Sequence, residues 1–253
     1  MRHDLAIVII SLCRESLIRA VRSVYAQQTD CRMQILVGVD HDEHGKSSEL
    51  EQQLRQDCPP HINLLWLDVG YSTSQRHGGP HSSHYGGSLR TALSFLADSD
   101  IVMYLDDDDW LAPTHCADIL AAIQNVDWAF AYSIYSDHET QQGLCIDTME
   151  SVGVQKGIYG PTFGGFVRPS GLALRKLKLQ AILHIWSNAK YKQGHGEDRL
   201  MFEQLRKHRH RCTGKATVYC SIHPNNTLHH YRMEFINRQG VFFREKEHTG
   251  SIV

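Results

Sequence analysis

Leu5-Ala6-Ile7-Val8-Ile9-Ile10 is an unbroken apolar run, and its length and continuity suit a strand covered on both faces. A helical pattern follows over residues 15–27, with Leu17, Ile18, Val21, Val24 and Tyr25 on one face. The alternation then repeats. Strands are expected at 35–39, 62–67 and 101–105. Between them lie a polar helix over Ser47–Gln56 and a helix over 88–97 whose stripe is Leu89, Ala92, Leu93 and Leu96. Strand and helix in turn mean βαβ units and a mainly parallel sheet flanked by helices.

The polar tract between Gly70 and Gly87 has no periodicity and many breakers, so it reads as a long loop, the kind that is usually functional or mobile. The second half is less regular. A helix is expected at 114–125 with Thr114 as its N-cap, a strand at 128–134, and irregular chain over 136–166. Helices are expected at 172–183 and 197–207, then a short strand at 217–221. The charged tail from Arg232 gives no fold signal. No repeat or linker divides residues 1–253, which read as one domain.

Tyr104-Leu105-Asp106-Asp107-Asp108-Asp109-Trp110 carries the most chemistry. Four adjacent carboxylates repel one another, and they follow a buried strand, where uncompensated charge is costly. In extended backbone Asp106 and Asp108 point to the same side and converge. Hard carboxylate oxygens suit Mg2+ or Mn2+, with diphosphate oxygens completing the shell. The carboxyl edge of a parallel sheet is also where open α/β folds bind ligands. The bland alternative is a solvated acidic turn capping the next helix.

At this point the chain resembles a family-2 glycosyltransferase of the GT-A fold, a Rossmann-like α/β fold. Ala6–Arg14 resembles that family's first strand and turn, with Ser11-Leu12 where the family usually has Pro-Thr. Ser23 with Gln27 or Gln28 fits its first helix, and Ile35–Asp40 its second strand. Arg90 falls at its "A-R-N" Arg, with Thr91 in place of Asn. Leu105–Trp110 fits "L-D-x-D-D", Gly196-Glu197-Asp198 with Leu200 fits "G-E-D-x-x-L", and His223–Thr227 fits the C-terminal "H-p-x-n-t". The matches keep their order from residue 5 to residue 227.

The resemblance implies a donor half over 1–110 and an acceptor half over 111–253. It implies that Ser11, Arg14, Asp40, Arg90, Asp106 and Asp107 bind the nucleotide-sugar, with Asp40 on the base and Arg90 on the diphosphate or ribose. Asp106 would meet the ribose or a metal-bound water, and Asp108 would ligate Mn2+ or Mg2+. His223 is open between a metal or diphosphate ligand and a strand cap. Asp198 is the expected general base of an inverting transfer, with Glu197 as the fallback; acids in a first helical turn are also simply favoured by the helix dipole. The implied partners are a nucleotide-diphosphate sugar, UDP favoured, and a glycan or lipid-linked acceptor, in surface glycan or polysaccharide synthesis.

Other classes fare worse. The 26 Lys and Arg against 28 Asp and Glu argue against nucleic acid as a partner. Seven cysteines without a CxxC suggest reduced thiols and a cytoplasmic protein. No apolar run approaches the ~20 residues of a membrane span, and the run at 5–10 is too short for a signal segment. Membrane association would be peripheral at most, through the basic stretch 206–211. His77, His81 and His84, with His41 and His44 nearby in sequence, raise a zinc hydrolase, but Gly78, Gly79 and Pro80 break any helix that would align them and there is no HExxH; a loop closing over the donor fits better. Gly45-Lys46-Ser47 lacks the first Gly of a P-loop. A sugar nucleotidyltransferase would open with a Gly-rich basic loop that 11–15 lacks. A non-catalytic binding module would not need both the acidic block and Glu197-Asp198.

Overall fold

The computed structural model describes residues 2–224, 226 and 228–239. The opening apolar run is the sheet's centre. Strand β1 (Leu5–Ser11) has β2 (Met33–Val39) parallel on one side and β4 (Ile101–Asp106) parallel on the other. Strand alternation sorts its side chains between two cores. Leu5, Ile7 and Ile9 pack with Leu17 and Val21 of α1 (Ser16–Tyr25) and Leu50 and Leu54 of α2 (Ser47–Gln56). Ala6, Val8 and Ile10 pack on the other face with Leu89 and Leu93 of α3 (Gly87–Leu96). Apolar cover on both faces is what an uninterrupted apolar strand requires. Strand β3 (Ile62–Asp68) extends this parallel array beyond β2.

The later elements are β5 (Trp110–Leu111), α4 (His115–Ala122), β6 (Trp128–Asp137) and β7 (Gly143–Ile146). A small hairpin of β8 (Gly153–Val154) and β9 (Gly165–Phe166) brackets α5 (Gly160–Phe163). Strand β10 (Leu172–Arg175), α6 (Lys176–Leu179), a 3₁₀ stretch over Gln180–Ser187, α7 (Glu197–Leu205), β11 (His210–Ile222) and α8 (His229–Gln239) complete the order. Among the described residues the main sheet has nine strands, in the order β3-β2-β1-β4-β10-β6-β11-β5, with β7 paired to β6. Strand β10 runs antiparallel between β4 and β6, and β11 returns parallel to β6. The result is one α/β unit with a mainly parallel sheet.

Several sequence expectations need correction. Residues 172–183 are not one helix: Leu172, Ala173 and Leu174 fill the gap between β4 and β6 as a strand, and the helical stretch starts only at Lys176. Two unpaired strand edges there outweigh the helix propensity of a Leu-rich segment. The buried stripe of α3 is Leu89, Arg90, Leu93 and Ser94, while Ala92 and Leu96 are exposed. Position 90 faces inward because its guanidinium pairs with the part-exposed Asp106 and lies over the buried Trp186 ring. Thr114 flanks α4, but its hydroxyl donates to Asp118 instead of capping the backbone. The strand expected at 217–221 is the end of the longer β11, and Arg232 lies within α8. Asn225 and Thr227 of the 223–227 segment, and the tail from residue 240, lie outside the described residues.

Candidate active site

Parallel pairing brings the carboxyl ends of several strands to one edge. Ser11 lies beside Val39, the residue before Asp40, and Ile10 lies beside Asp106. Strand β11 runs parallel to β6 and delivers His223 just past its own end.

The four aspartates do not continue the strand. Asp109 N–H donates to Asp106 C=O at 3.2 Å, which closes a turn, so the strand alternation expected to bring Asp106 and Asp108 together stops at Asp106. Each carboxylate then takes its own direction. Asp107 is buried and faces the turn after β1, where it accepts from Ser11 Oγ (3.0 Å), Leu12 N–H (3.0 Å) and the Arg14 guanidinium. Asp108 lies 3.5 Å from His223 Nε2 and 3.3 Å from Arg14 Nη1. Burial raises its carboxyl, but the His223 contact and the Arg14 charge outweigh that and hold it below the usual range. Asp109 turns inward and accepts from Ser221 N–H at 2.9 Å. Burial, then the charges of Asp108 and Asp106, push it up to about 7.

Asp106 meets Arg90. The two form a 2.9 Å ion pair, and Ser170 Oγ accepts the Asp106 N–H at 3.0 Å. Arg90 is buried, lies 5.0 Å over the Trp186 ring, and has an Nε without a partner. Burial is the chief cause that raises the Asp106 carboxyl; Arg90 opposes it, and the charges of Asp108, Asp107 and Asp198 add to it. The pair Glu197-Asp198 is therefore an electrostatic neighbour of the acid block, although the chain between them crosses most of the second half.

Local sequence explains how that pair is presented. Gly196 takes φ 92° at the helix entrance, a conformation that favours glycine. Met201, Phe202 and Leu205 bury the far side of α7. The Arg199 guanidinium lies 4.2 Å over Tyr159 and 4.7 Å over Phe163, which fixes the helix rotation. Glu197 is 3 % exposed, and its Oε2 has no partner. Burial, then Asp198, push it up to about 7 against the pull of Arg90. Asp198 is half-buried and one of its oxygens accepts the Arg199 N–H at 2.7 Å. Burial also raises its carboxyl, partly offset by that hydrogen bond and by Arg199 and Arg90.

Asp40 is fully engaged. It accepts from Thr73 N–H (3.1 Å), Thr73 Oγ1 (2.9 Å), Ser74 Oγ (2.6 Å) and, at 3.4 Å, Ser72 Oγ. It anchors the 70–87 loop over the sheet edge. Beside it opens a cavity of about 550 Å³, lined by Asp40, His41, Asp42, Asp68, Tyr71 and His77 among others. The His41 and His77 rings stack there at 4.3 Å. The histidines at 77, 81 and 84 do not gather around a common point: among the described residues no three His, Cys, Asp or Glu side chains are arranged to hold an ion.

The same finding bears on Mn2+ or Mg2+. Asp106, Asp108 and His223 are not gathered as a threefold ligand set, since one Asp106 oxygen is held by Arg90. Asp108 and His223 remain, 3.5 Å apart, near the ~3 Å between adjacent ligands of an ion with ~2.1 Å bonds. Two protein donors with substrate phosphates is a usual way to hold such an ion, and the pair fits it. Sequence reasoning missed His138, whose ring lies 4.7 Å from that of His223, and Ser170. Neither belongs to a motif or a periodic pattern. The Ser72–Ser74 anchor was visible only as polar loop composition.

No family model and no curated protein sequence matches the chain. Its fold is shared with solved structures. S. aureus TarS superposes with a TM-score of 0.61 at 14% identity, over 96% of this chain and 41% of that one. The 1–349 form of TarS in complex with UDP-GlcNAc gives 0.63 at 13% identity, over 96% and 68%. The mannosyltransferase PcManGT from Pyrobaculum calidifontis, in complex with GDP-Man and Mn2+, gives 0.55 at 12% identity, over 93% and 61%. The architecture is thus GT-A-like, and the chain spans less than half the length of TarS.

Proposed function

We propose that this chain is a family-2-type glycosyltransferase, moving a sugar from a nucleotide-diphosphate donor to a hydroxyl acceptor with inversion. The observation that carries the reading is the meeting of Arg90–Asp106 with Glu197-Asp198 at the sheet's carboxyl edge, within reach of one another's charges. One cation and several carboxylates with raised pKa values are what such a transfer needs beside a diphosphate. The GT-A-like fold supports the same chemistry, because neighbours with it are solved with UDP-GlcNAc and with GDP-Man.

In this reading residues 1–110 supply most of the donor site and 111–253 the base that meets the acceptor. Arg90 and Arg14 face the diphosphate, Asp107 sets Arg14 and the Ser11 turn in place, and Asp106 orients the ribose. Asp40 shapes the nucleotide pocket by fixing the loop over it. The acceptor oxygen attacks the anomeric carbon, its proton passes to Asp198, and the bond from that carbon to the diphosphate breaks, releasing the nucleoside diphosphate. Burial keeps Asp198 basic, and its charge in turn helps hold the proton on buried Glu197. Asp108 and His223 would hold Mn2+ or Mg2+, which supplies positive charge against the departing diphosphate. UDP-sugars are the favoured donors and a surface glycan or polysaccharide the favoured product, made in the cytoplasm. Among the described residues no helix is long and apolar enough to cross a membrane.

Release of nucleoside diphosphate from a panel of UDP-, GDP- and dTDP-sugars, with Mn2+, with Mg2+ and with excess chelator, tests the reading. Turnover of one donor class that chelator abolishes and Mn2+ restores is expected. Full turnover in chelator would remove the metal from the mechanism. No turnover and no binding of any donor would remove the proposal.

A further inference from the structure

Two glycine-rich segments meet beside Glu197-Asp198 and carry rings that no step above uses. His84 N–H donates to Gly194 C=O at 2.7 Å, which ties the end of the 70–87 loop to the turn that leads into α7. The approach is close: a Cβ on Gly194 would lie 2.2 Å from the His84 ring. From this junction the rings run in a chain. His84 lies 6.4 Å from Tyr85, edge to face, and 5.7 Å from His195, and His195 lies 5.9 Å from Tyr191. Tyr85 and Tyr191 are 50% and 38% exposed. Such rings are normally turned inward or covered, and here they flank the helix that begins with the proposed base.

We infer that Tyr85, His84, His195 and Tyr191 form the acceptor rim, which takes a neutral sugar ring and presents its hydroxyl to Asp198. This rests on the transferase reading and adds the class of acceptor. The C–H faces of a pyranose carry partial positive charge and stack on the negative face of an aromatic ring. Tyrosine hydroxyls and imidazoles can both donate to and accept from sugar hydroxyls. Burial, then His195 and Arg76, hold the His84 imidazole below its usual range, so it is neutral at neutral pH and offers both functions. Charge separates a neutral glycan from an anionic acceptor. Burial raises the Tyr85 phenol, Arg76 with its guanidinium 5.8 Å over the ring opposes that, and Glu197 and Asp198 add to it, so an acceptor bearing phosphates would meet two carboxylates against one guanidinium at this rim.

The test measures binding on the donor-free protein by calorimetry and saturation-transfer NMR. The probes are neutral tetrasaccharides (chitotetraose, cellotetraose, maltotetraose) and a linear glycerol-phosphate oligomer. One neutral tetrasaccharide is expected to bind, with Tyr85→Ala and Tyr191→Ala each weakening it roughly tenfold and Tyr85→Phe retaining most of the affinity. Melting temperature and UDP affinity, measured on the same samples, report on folding and the donor site. The inference is overturned if no tetrasaccharide binds, if the glycerol-phosphate oligomer binds instead, or if both alanine variants bind sugar like the wild type. Sugar binding that needs Tyr85 in a protein that turns over no donor would keep the rim and sink the transferase.

Discussion

Two kinds of acid can be compared in this fold. Asp40, Asp107 and Asp147 are buried and saturated. Asp40 accepts from the backbone or hydroxyls of Ser72, Thr73 and Ser74, and Asp107 from Ser11, Leu12 and Arg14. Asp147 accepts from three backbone N–H groups and Arg168. The acids at the start of α7 are different. Glu197 is as buried as Asp107, yet its Oε2 has no partner, and Asp198 accepts from backbone N–H at the start of its own helix. A buried carboxylate oxygen without a partner costs about 1–3 kcal/mol. A fold keeps such a group where the group works. Saturation thus separates carboxylates that hold loops in place from carboxylates left free for a substrate.

The largest effect should come from removing a saturated acid. Asp107→Ala leaves the Ser11 hydroxyl and the Leu12 N–H without their acceptor, at ~1–3 kcal/mol each when buried. Arg14 adds little, because its side chain is 42% exposed and can turn to water. Burial raises the Asp107 carboxyl, Arg14 opposes that and the charge of Asp108 adds to it, so removing the carboxyl returns part of that loss, and a net loss of about 2–3 kcal/mol in urea unfolding is expected. A loss below about 0.5 kcal/mol, the usual range for surface changes, would end the distinction at this residue and return Asp107 to direct donor binding.

Asp198→Asn should show the opposite profile. It keeps the side-chain shape and an oxygen for the Arg199 N–H, and removes basicity alone. Turnover should fall roughly 100-fold, while the urea midpoint does not fall and nucleoside diphosphate affinity stays put. If turnover falls only in step with stability, Asp198 is a helix-end residue. If Asp198→Asn stays active and Glu197→Gln is dead, the base lies one residue earlier.

How much of this was legible in the sequence follows the same division. The parallel half was readable because strands buried on both faces must be continuously apolar, and helices with one covered face must be periodic; Ser47–Gln56 appears with the bounds its pattern predicts. Strand β10 was not readable, since its four residues are extended only because β4 and β6 leave room between them. The acidic block announced a site, but the directions of its members depend on a turn and on partners far along the chain. Asp107 is spent on Ser11 and Leu12, and Asp40 on a serine-rich loop, and no local pattern encodes either choice. Glu197-Asp198 stood out only through resemblance, because acids in a first helical turn are ordinary.

The smallest predicted effect tests the unsaturated group from within. Glu197 faces Asp198 on its own helix, and across the cleft Arg90 of α3 and Asp106 of β4. Its carboxyl is raised from 4.5 to about 7 in the folded chain. Between those values the folded state holds a proton that the unfolded state has released. Unfolding stability therefore falls as pH rises through that window, and it levels off above it. Glu197→Gln carries no titrating proton, so its stability relative to wild type should climb between pH 4.5 and 7 by on the order of 1–2 kcal/mol. Urea midpoints at pH 4.5, 6, 7 and 8 would show two curves that diverge and then run parallel. Curves parallel throughout would mean that Glu197 finds a partner in solution and belongs with Asp40 and Asp107. Curves that diverge only above pH 7 would assign the change to another group.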